Sequence, residues 1–128
     1  MNPRPASTVV VVRESPAANN AAAATAVTSG IETLLLLRNT ALTFEGGAWV
    51  FPGGKVDACD YPDDTAGLAA EQVHHQAAMN AGIREAQEEA GLIISPERLI
   101  PIAHWTTPLG LSRRYATWFF LCPLPESV

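Results

Sequence analysis

Hydrophobic positions along the chain fall into short blocks that are separated by polar, alanine-rich or proline-rich segments. Residues 8–12 are all β-branched and lie between Pro5 and Pro16, which predicts a buried first strand. Residues 32–38 include four consecutive leucines in a run too short for a stable helix, which predicts a second strand. Residues 15–30 show no apolar period, so we expect a flexible loop there despite the alanines.

The middle of the chain contains a third apolar block and then a sharp turn. Residues 48–51 are mostly aromatic or β-branched and predict a further strand. The sequence Pro-Gly-Gly at 52–54 is typical of a tight turn. Residues 55–64 contain a proline and four aspartates, so we expect a loop there.

The second half of the pattern indicates one long helix followed by two strands. Residues 65–90 contain no proline and many alanines, so we expect a helix that ends at Gly91. Residues 98–105 and 115–122 have strand patterns. This order is typical of an α+β or α/β sandwich, here in a single domain over 1–128. No second helix is predicted to cover the other face of the sheet, so we expect a C-terminal helix to be missing from the sequence.

The net charge and the distribution of apolar residues argue against a nucleic-acid-binding, secreted or membrane-spanning protein. A formal charge of −5, from 13 acidic and 8 basic residues, argues against a nucleic-acid polymer as ligand. The apolar run at 9–12 is followed at once by Arg13 and Glu14, so it is too short for a signal peptide or a membrane span. We expect a soluble cytoplasmic protein that does not bind membranes.

The cysteines and histidines do not form a recognisable metal or disulfide pattern. Cys59 and Cys122 lie far apart in no CxxC spacing, so we expect both to be reduced and structural. His74 and His75 are neighbours on the predicted helix and must point in different directions, and His104 stands alone in a strand. We interpret all three as structural or surface residues.

Three glutamates on the predicted helix are the main candidates for chemistry. Glu85, Glu88 and Glu89 have i, i+3 and i+4 spacing, which places them within an arc of about 100° on one helix face. Like charges at this spacing repel unless a cation lies among them, and oxygen ligands favour Mg²⁺ or Mn²⁺ over zinc. Arg84 precedes Glu88 by four residues and could orient the acids. The alternative is an ordinary solvated face, but residues 71–91 contain no lysine and one arginine to balance such a face.

Two segments resemble the Nudix box, whose pattern is G-x5-E-x7-R-E-U-x-E-E-x-G-U with U aliphatic. Residues 84–92, REAQEEAGL, resemble its second half, and residues 51–54, FPGG, resemble the turn that opens it. The resemblance implies an α/β/α sandwich with a mixed central sheet and a catalytic helix after the Gly-Gly turn. It also implies Mg²⁺-dependent hydrolysis of a pyrophosphate linkage in a nucleotide. The implied metal ligands are the carbonyl of Gly53 and the carboxylates of Glu85, Glu88 and Glu89.

The sequence departs from this pattern at the first motif glutamate. Counting five residues past Gly54 gives Asp60, an acid but not a glutamate. The spacer over 61–83 then has 23 residues instead of seven, 16 more than the pattern, so we expect an insertion over 61–76. Counting back from Arg84 instead places Gln76 at that position. The sequence leaves both assignments open.

Substrate candidates come from residues outside the box. Arg38, Arg113 and Arg114 could bind phosphates through forked hydrogen bonds, and Trp105 could stack on a base or pack an acyl-pantetheine arm. Glu85 is the preferred general base.

The entry turn, the insertion and the later Trp-Thr-Thr-Pro segment at 105–108 resemble the branch that includes animal peroxisomal coenzyme A diphosphatases. This implies coenzyme A or acyl-coenzyme A as substrate, with ADP-ribose or NADH next. We also expect a homodimer. The alternative is a Nudix-fold regulatory module that senses a nucleotide without cleaving it.

Overall fold

The structure is a computed structural model that describes residues 2–14, 30–37 and 48–124. These segments contain seven strands and one α-helix, with short 3₁₀ turns at Ala58–Asp60 and Pro96–Arg98. In chain order the elements are β1 (Arg4–Glu14), β2 (Ile31–Thr33), β3 (Leu36–Leu37), β4 (Trp49–Val50), β5 (Gly53–Lys55), α1 (Ala70–Ala90), β6 (Ile100–Thr106) and β7 (Tyr115–Pro123).

Strand β1 is the centre of a mixed five-stranded sheet. The order is β2-β1-β7-β6, and β5 pairs with the N-terminal part of β1 on the same side as β2. The β1–β7 pairing is parallel, whereas the other pairings in this sheet are antiparallel. Strands β3 and β4 form a separate antiparallel pair. The predicted mixed sheet with one helix is therefore confirmed.

The core lies between one face of β1 and β7 and the small residues of α1. Ser7, Val9 and Val11 are buried on β1 in strict alternation, as expected of a strand with one face on a core. Helix α1 buries alanines and a glycine on this side, so its backbone approaches the sheet closely: Ala77, Ala78, Ala81, Gly82 and Ala86. Phe120 and Cys122 of β7 complete the buried cluster.

The predicted strand over 32–38 is wrong as a single element. Strand β2 pairs with β1, and the backbone N–H of Leu34 directly after it still donates to the carbonyl of Val11. Strand β3 then pairs with β4 and not with the main sheet. Leu35 and Leu37 are exposed, so the leucine run is not a buried strand. Arg38 lies outside the described residues, as does the predicted loop at 15–30 except for Gly30.

The helix begins at Ala70, not at residue 65. Residues 65–68 form a turn in which the Leu68 N–H donates to the Thr65 carbonyl, and Gly67 has a left-handed φ of +80°. The predicted C-terminal cap is confirmed, since Gly91 is left-handed and its N–H donates to the Gln87 carbonyl. The 61–76 segment is therefore irregular up to residue 69 and helical beyond it.

The turn and loop predicted at 52–64 are more regular than the sequence indicates. Gly53–Lys55 is strand β5, because it pairs with β1, and Ala58–Asp60 is a 3₁₀ turn. Of the two helical layers that the resemblance implies, the described part of the chain contains one, α1. That part contains no helix long and apolar enough to cross a membrane.

Candidate active site

Strand β5 and helix α1 bring the two motif segments into direct contact. The backbone N–H of Gly53 donates to a carboxylate oxygen of Glu89 at 2.9 Å. Gly54 lies so close to Glu85 that a Cβ at this position would be 2.8 Å from Glu85 Oε2. Gly53 has φ +154°, and a Cβ there would lie 2.2 Å from the carbonyl oxygen of Ser7 on β1. Close packing against the β1 backbone thus requires glycine at position 53, whereas a side chain at position 54 would displace the Glu85 carboxylate.

Arg84 makes hydrogen bonds to several acidic side chains next to this contact. Its Nε and Nη2 donate to the two carboxylate oxygens of Asp60, each at 2.9 Å. Its Nη1 donates to Glu85 at 2.6 Å and lies 3.4 Å from Glu88, and Nη2 is 3.3 Å from the carbonyl of Lys55. The planar guanidinium therefore joins the 3₁₀ turn, β5 and α1, and it orients Glu85.

The Asp60–Arg84 pair favours the charged state of both side chains. Burial of Asp60 opposes its ionisation and is the largest single influence on its pKa. Hydrogen bonds from Arg84 and from the Asp57 N–H, together with the charge of Arg84, outweigh burial and lower that pKa. Hydrogen bonding to Asp60 is the main cause that raises the pKa of Arg84, and Glu85 contributes further. The pair is therefore ionised at neutral pH.

The two candidates for the first motif acid make different contacts. Asp60 binds Arg84 in a bidentate manner, whereas Gln76 donates to Asn80 at 3.1 Å. Asn80 in turn donates to the backbone carbonyl of Asp60 at 2.8 Å. Asp60 and Arg84 are therefore in direct contact although the segment over 61–76 lies between them in the sequence. Sequence reasoning missed Asn80, which carries no motif signal.

The three glutamates share one face of α1, because the helix extends over all three positions, but their environments differ. The side chain of Glu85 is 19% exposed and that of Glu88 is 58% exposed. Glu85 is held by Arg84, and Glu89 accepts from the Gly53 amide. Glu85 and Glu89 both border a large cleft.

Another group of potential ligands lies at the 3₁₀ turn. Among the described residues, Asp57, Cys59 and Asp60 place one ligand atom each within 4.8 Å of one another. The Arg84 guanidinium already binds both carboxylates of this group, at 3.3 Å from Asp57 and 2.9 Å from Asp60. The same guanidinium contacts Glu85 at 2.6 Å and Glu88 at 3.4 Å, so its charge affects both groups. The glutamates offer oxygen atoms alone, whereas the group at the 3₁₀ turn includes a thiol, and hard divalent cations prefer oxygen ligands.

The cleft has a volume of about 1180 Å³ and lies beside the glutamates. Its polar wall contains Gly53, Gly54, Lys55, Glu85 and Glu89. Its apolar wall comes from the β3–β4 pair and the residue after it, with Leu36, Leu37, Trp49, Val50 and Phe51. Residues of β1 and β7 on the sheet face opposite α1 also line it, including Thr8, Tyr115, Thr117 and Phe119.

Of the arginines predicted to bind phosphate, Arg113 lines this cleft and Arg114 does not. Arg113 lines it, together with Thr107. Arg114 is not among the lining residues, and its Nε donates to the carbonyl of Thr107 at 3.1 Å, which braces the β6–β7 loop. Arg38 lies outside the described residues. Lys55, which the sequence analysis did not select, supplies a second cation to the cleft.

The tryptophan predicted to bind substrate is not part of the cleft lining. Trp105 is 72% exposed on the edge strand β6, where its ring lies 6.4 Å from that of Phe119 between centroids. Trp49 and Phe51 line the cleft instead. A signal for them existed in the sequence, because both belong to the aromatic block that leads into the glycine turn.

The three histidines each contact an aromatic ring, and His74 and His104 are exposed, in agreement with structural or surface positions. His75 and His104 both contact Trp118 edge-to-face, with centroids 4.8 and 4.9 Å apart. His74 contacts Tyr61 in the same manner at 5.9 Å.

The two cysteines are both free, in agreement with the predicted reduced state, but only Cys122 is buried as expected of a structural residue. Cys122 is buried in the core, and this burial raises the pKa of its thiol, against a smaller opposite influence of Arg98. Cys59 is exposed beside Asp60.

Comparison with known proteins places the fold. No protein-family model and no curated protein matches the sequence. A NUDIX hydrolase structure from Alicyclobacillus acidocaldarius matches with TM-score 0.67 and 20% identity, over 98% of this chain and 72% of that one. A MutT/nudix family protein from Enterococcus faecalis matches with TM-score 0.66 and 18% identity, over 97% of this chain and 38% of that one. The Ap4A hydrolase of C. elegans gives TM-score 0.50 and 22% identity, over 96% and 69%. With the glycine turn packed against the REAQEEAG helix, these similarities show that the chain has the Nudix fold.

Proposed function

We propose that this chain is a Nudix-type pyrophosphohydrolase, a Mg²⁺-dependent enzyme that cleaves a pyrophosphate linkage in a nucleoside-diphosphate-linked substrate. The observation that carries the proposal is the contact of Glu85 and Glu89 with the Gly53–Gly54 strand at the edge of the cleft. Glu85 is held by one hydrogen bond from Arg84 and Glu89 by one from the Gly53 amide, so both carboxylates are fixed at the cleft wall, where they could bind a cation and a phosphate.

The residues that would hold the metal are Glu85, Glu88 and Glu89, with the carbonyl of Gly53. Their donor set consists of hard oxygen atoms alone, which fits Mg²⁺ and allows Mn²⁺ as a substitute. When bound, the cation would neutralise phosphate charge and activate a water for attack.

Arg84 acts as a positioning residue in this proposal. It donates to Glu85 at 2.6 Å while Asp60 fixes the other side of the guanidinium. Glu85 is the proposed general base: its carboxylate faces Gly54 at the cleft and can accept a proton from a water there. The protein otherwise contributes orientation and charge, since phosphoanhydride hydrolysis requires little covalent participation.

The two walls of the cleft suggest how a substrate is bound. Lys55 and Arg113 would bind phosphate oxygens next to the glutamates. Trp49 and Phe51 would pack against a nucleobase or an apolar arm. The cleft volume of about 1180 Å³ exceeds what a typical drug-sized ligand needs and supports a large substrate.

Among such substrates we favour coenzyme A or acyl-coenzyme A, followed by ADP-ribose and NADH. The net charge of −5 supports a small nucleotide over a nucleic-acid polymer. A cytoplasmic location and a homodimer remain predictions.

The test is hydrolysis by the purified protein with Mg²⁺. Coenzyme A, acetyl-coenzyme A, ADP-ribose, NADH and a diadenosine polyphosphate are incubated separately, and the products are separated by chromatography. The variants Glu88→Gln and Glu89→Gln should lose activity by about 10²-fold or more, as expected for groups that act in the transition state. Glu71→Gln is the matched control, because Glu71 is exposed in the first turn of the same helix.

Cleavage that both site variants lose and the control keeps would support the proposal and identify the substrate class. Nucleotide binding without cleavage would refute it in favour of a nucleotide-sensing module. Loss of activity in the Glu71 control as well would refute the assignment of the metal-binding glutamates.

A further inference from the structure

Three close contacts connect β1, β5 and α1 around Ser7 of β1. Ser7 pairs with Gly54 of β5, and Gly54 packs against Glu85 of α1. One turn earlier on the helix, Gly82 packs back against Ser7: a Cβ at Gly82 would lie 2.8 Å from Ser7 Oγ. The same Cβ would also lie 2.8 Å from Cγ2 of Val9.

The side chains on β1 act as spacers at this point. Ser7 and Val9 are 1% and 0% exposed, so neither can move into solvent. Among the described residues, Ser7 Oγ is the one buried side-chain oxygen or nitrogen without a hydrogen-bond partner. Ser7 therefore contacts Gly82 through van der Waals packing and not through a hydrogen bond. A serine hydroxyl can rotate away, but a valine methyl is stiff, so Val9 is the harder limit on the approach of the helix.

The contact at Gly82 lies on the same helix face as the proposed active-site glutamates. Glu85 follows Gly82 by three residues and Glu89 follows it by seven, and both spacings return to one face of an α-helix. The depth at which α1 rests on β1 therefore sets the distance from Glu85 to Gly54 and from Glu89 to the Gly53 amide.

We propose that Gly82, together with Ser7 and Val9, is a positioning element that sets the distance between the α1 glutamates and the Gly53–Gly54 strand. Its role in catalysis rests on the proposed hydrolase function. Its role in geometry does not, because the hydrogen bond from Gly53 N–H to Glu89 can be observed without substrate or metal.

The test compares Gly82→Ala with the double variant Val9→Ala/Gly82→Ala. The single variant adds a methyl that must push the helix away from β1, whereas the double variant removes the stiffest atom in its path. Gln87→Ala is the matched control, because Gln87 is exposed on the same helix. The first readout is the ¹⁵N–¹H signal and the hydrogen exchange of the Gly53 amide in the metal-free protein.

In Gly82→Ala we expect the Gly53 amide signal to shift and its exchange to accelerate, with both returning toward wild type in the double variant. In the active enzyme, kcat should fall by on the order of 10- to 100-fold, as expected for a small misplacement of catalytic groups. KM should stay within about twofold, and the Mg²⁺ concentration for half-maximal activity should rise. The control should match wild type in every readout.

An unchanged Gly53 amide in folded Gly82→Ala would overturn the proposal. If the single variant does not fold, the double variant decides: a wild-type Gly53 amide there supports the spacer role, and a displaced one refutes it. If the wild type cleaves none of the substrates, the proposed function fails while the amide measurements still test the geometry.

Discussion

Replacing Asp60 with asparagine should destabilise the protein and misplace Glu85. Asp60 is 4% exposed and receives two charge-assisted hydrogen bonds of 2.9 Å from Arg84. Breaking a fully buried ion pair from one side costs about 3–5 kcal/mol. The Arg84 side chain is 22% exposed and keeps Glu85 at 2.6 Å, so part of its charge remains compensated. We therefore expect a loss of about 2–3 kcal/mol in the free energy of unfolding, which corresponds to a Tm lower by roughly 6–15 °C.

Urea denaturation followed by circular dichroism measures this loss directly. The m-value should be unchanged, because the surface exposed on unfolding is the same. Asp63→Asn is the matched control, since Asp63 is exposed nearby and should change stability by less than about 0.5 kcal/mol. A loss for Asp60→Asn as small as that of the control would refute the reasoning that this pair anchors the site.

The same pair predicts the direction of the pH dependence. The folded-state pKa of Asp60 is lowered relative to its unfolded value of about 3.9. Its stabilising contribution is therefore complete above that value and is lost as the pH falls through the folded pKa. The stability difference between wild type and Asp60→Asn should be constant from about pH 6 to 7 and shrink below about pH 4. A difference that persists unchanged at the acidic end would contradict an ionised Asp60.

Three further predictions concern the cleft and the metal. Trp49→Ala should raise KM about tenfold, because base–aromatic stacking contributes about 1–3 kcal/mol, whereas Trp105→Ala should leave KM nearly unchanged; equal effects in a steady-state assay would refute the assignment of the apolar wall. Gly54→Ala should lower kcat by on the order of 10²-fold, since the added methyl displaces Glu85, and a wild-type kcat would show that this contact is dispensable. Chelation with EDTA should abolish hydrolysis and added Mg²⁺ or Mn²⁺ should restore it, so activity that survives dialysis against chelator would exclude a role for these ions.

Local patterns in the sequence were sufficient for the parts of the fold that depend on a single element. The β-branched run predicted β1, and Gly91 predicted the end of α1, because strand and cap preferences are local. The two motif segments were predicted to form one site, and they contact each other in the structure. That prediction came from the resemblance of both segments to the Nudix box, whereas spacing alone placed only the three glutamates on one helix face.

Features that depend on long-range pairing were not predictable in the same way. A run of four leucines is too short to distinguish strand from helix by its pattern, and it carries no information on the pairing of β3 with β4 outside the main sheet. The choice between Asp60 and Gln76 depended on the path of an irregular segment. No residue pattern indicates which face of which strand borders the cleft, so the sequence could neither identify Trp49 as a lining residue nor exclude Trp105.

The parallel pairing of β1 with β7 has a mechanical consequence. The two strands pair along nine residues, from Arg4 with Tyr115 to Val12 with Pro123. A force that pulls β1 from its N-terminal end and β7 from its C-terminal end acts along the strands in opposite directions, so it loads the ladder of hydrogen bonds in shear and not one bond at a time. Because β5 pairs with β1 and α1 packs on it, the candidate site is attached to the strand pair that resists stretching. The fold should therefore withstand tension between these ends with its site geometry intact until the ladder fails as a unit.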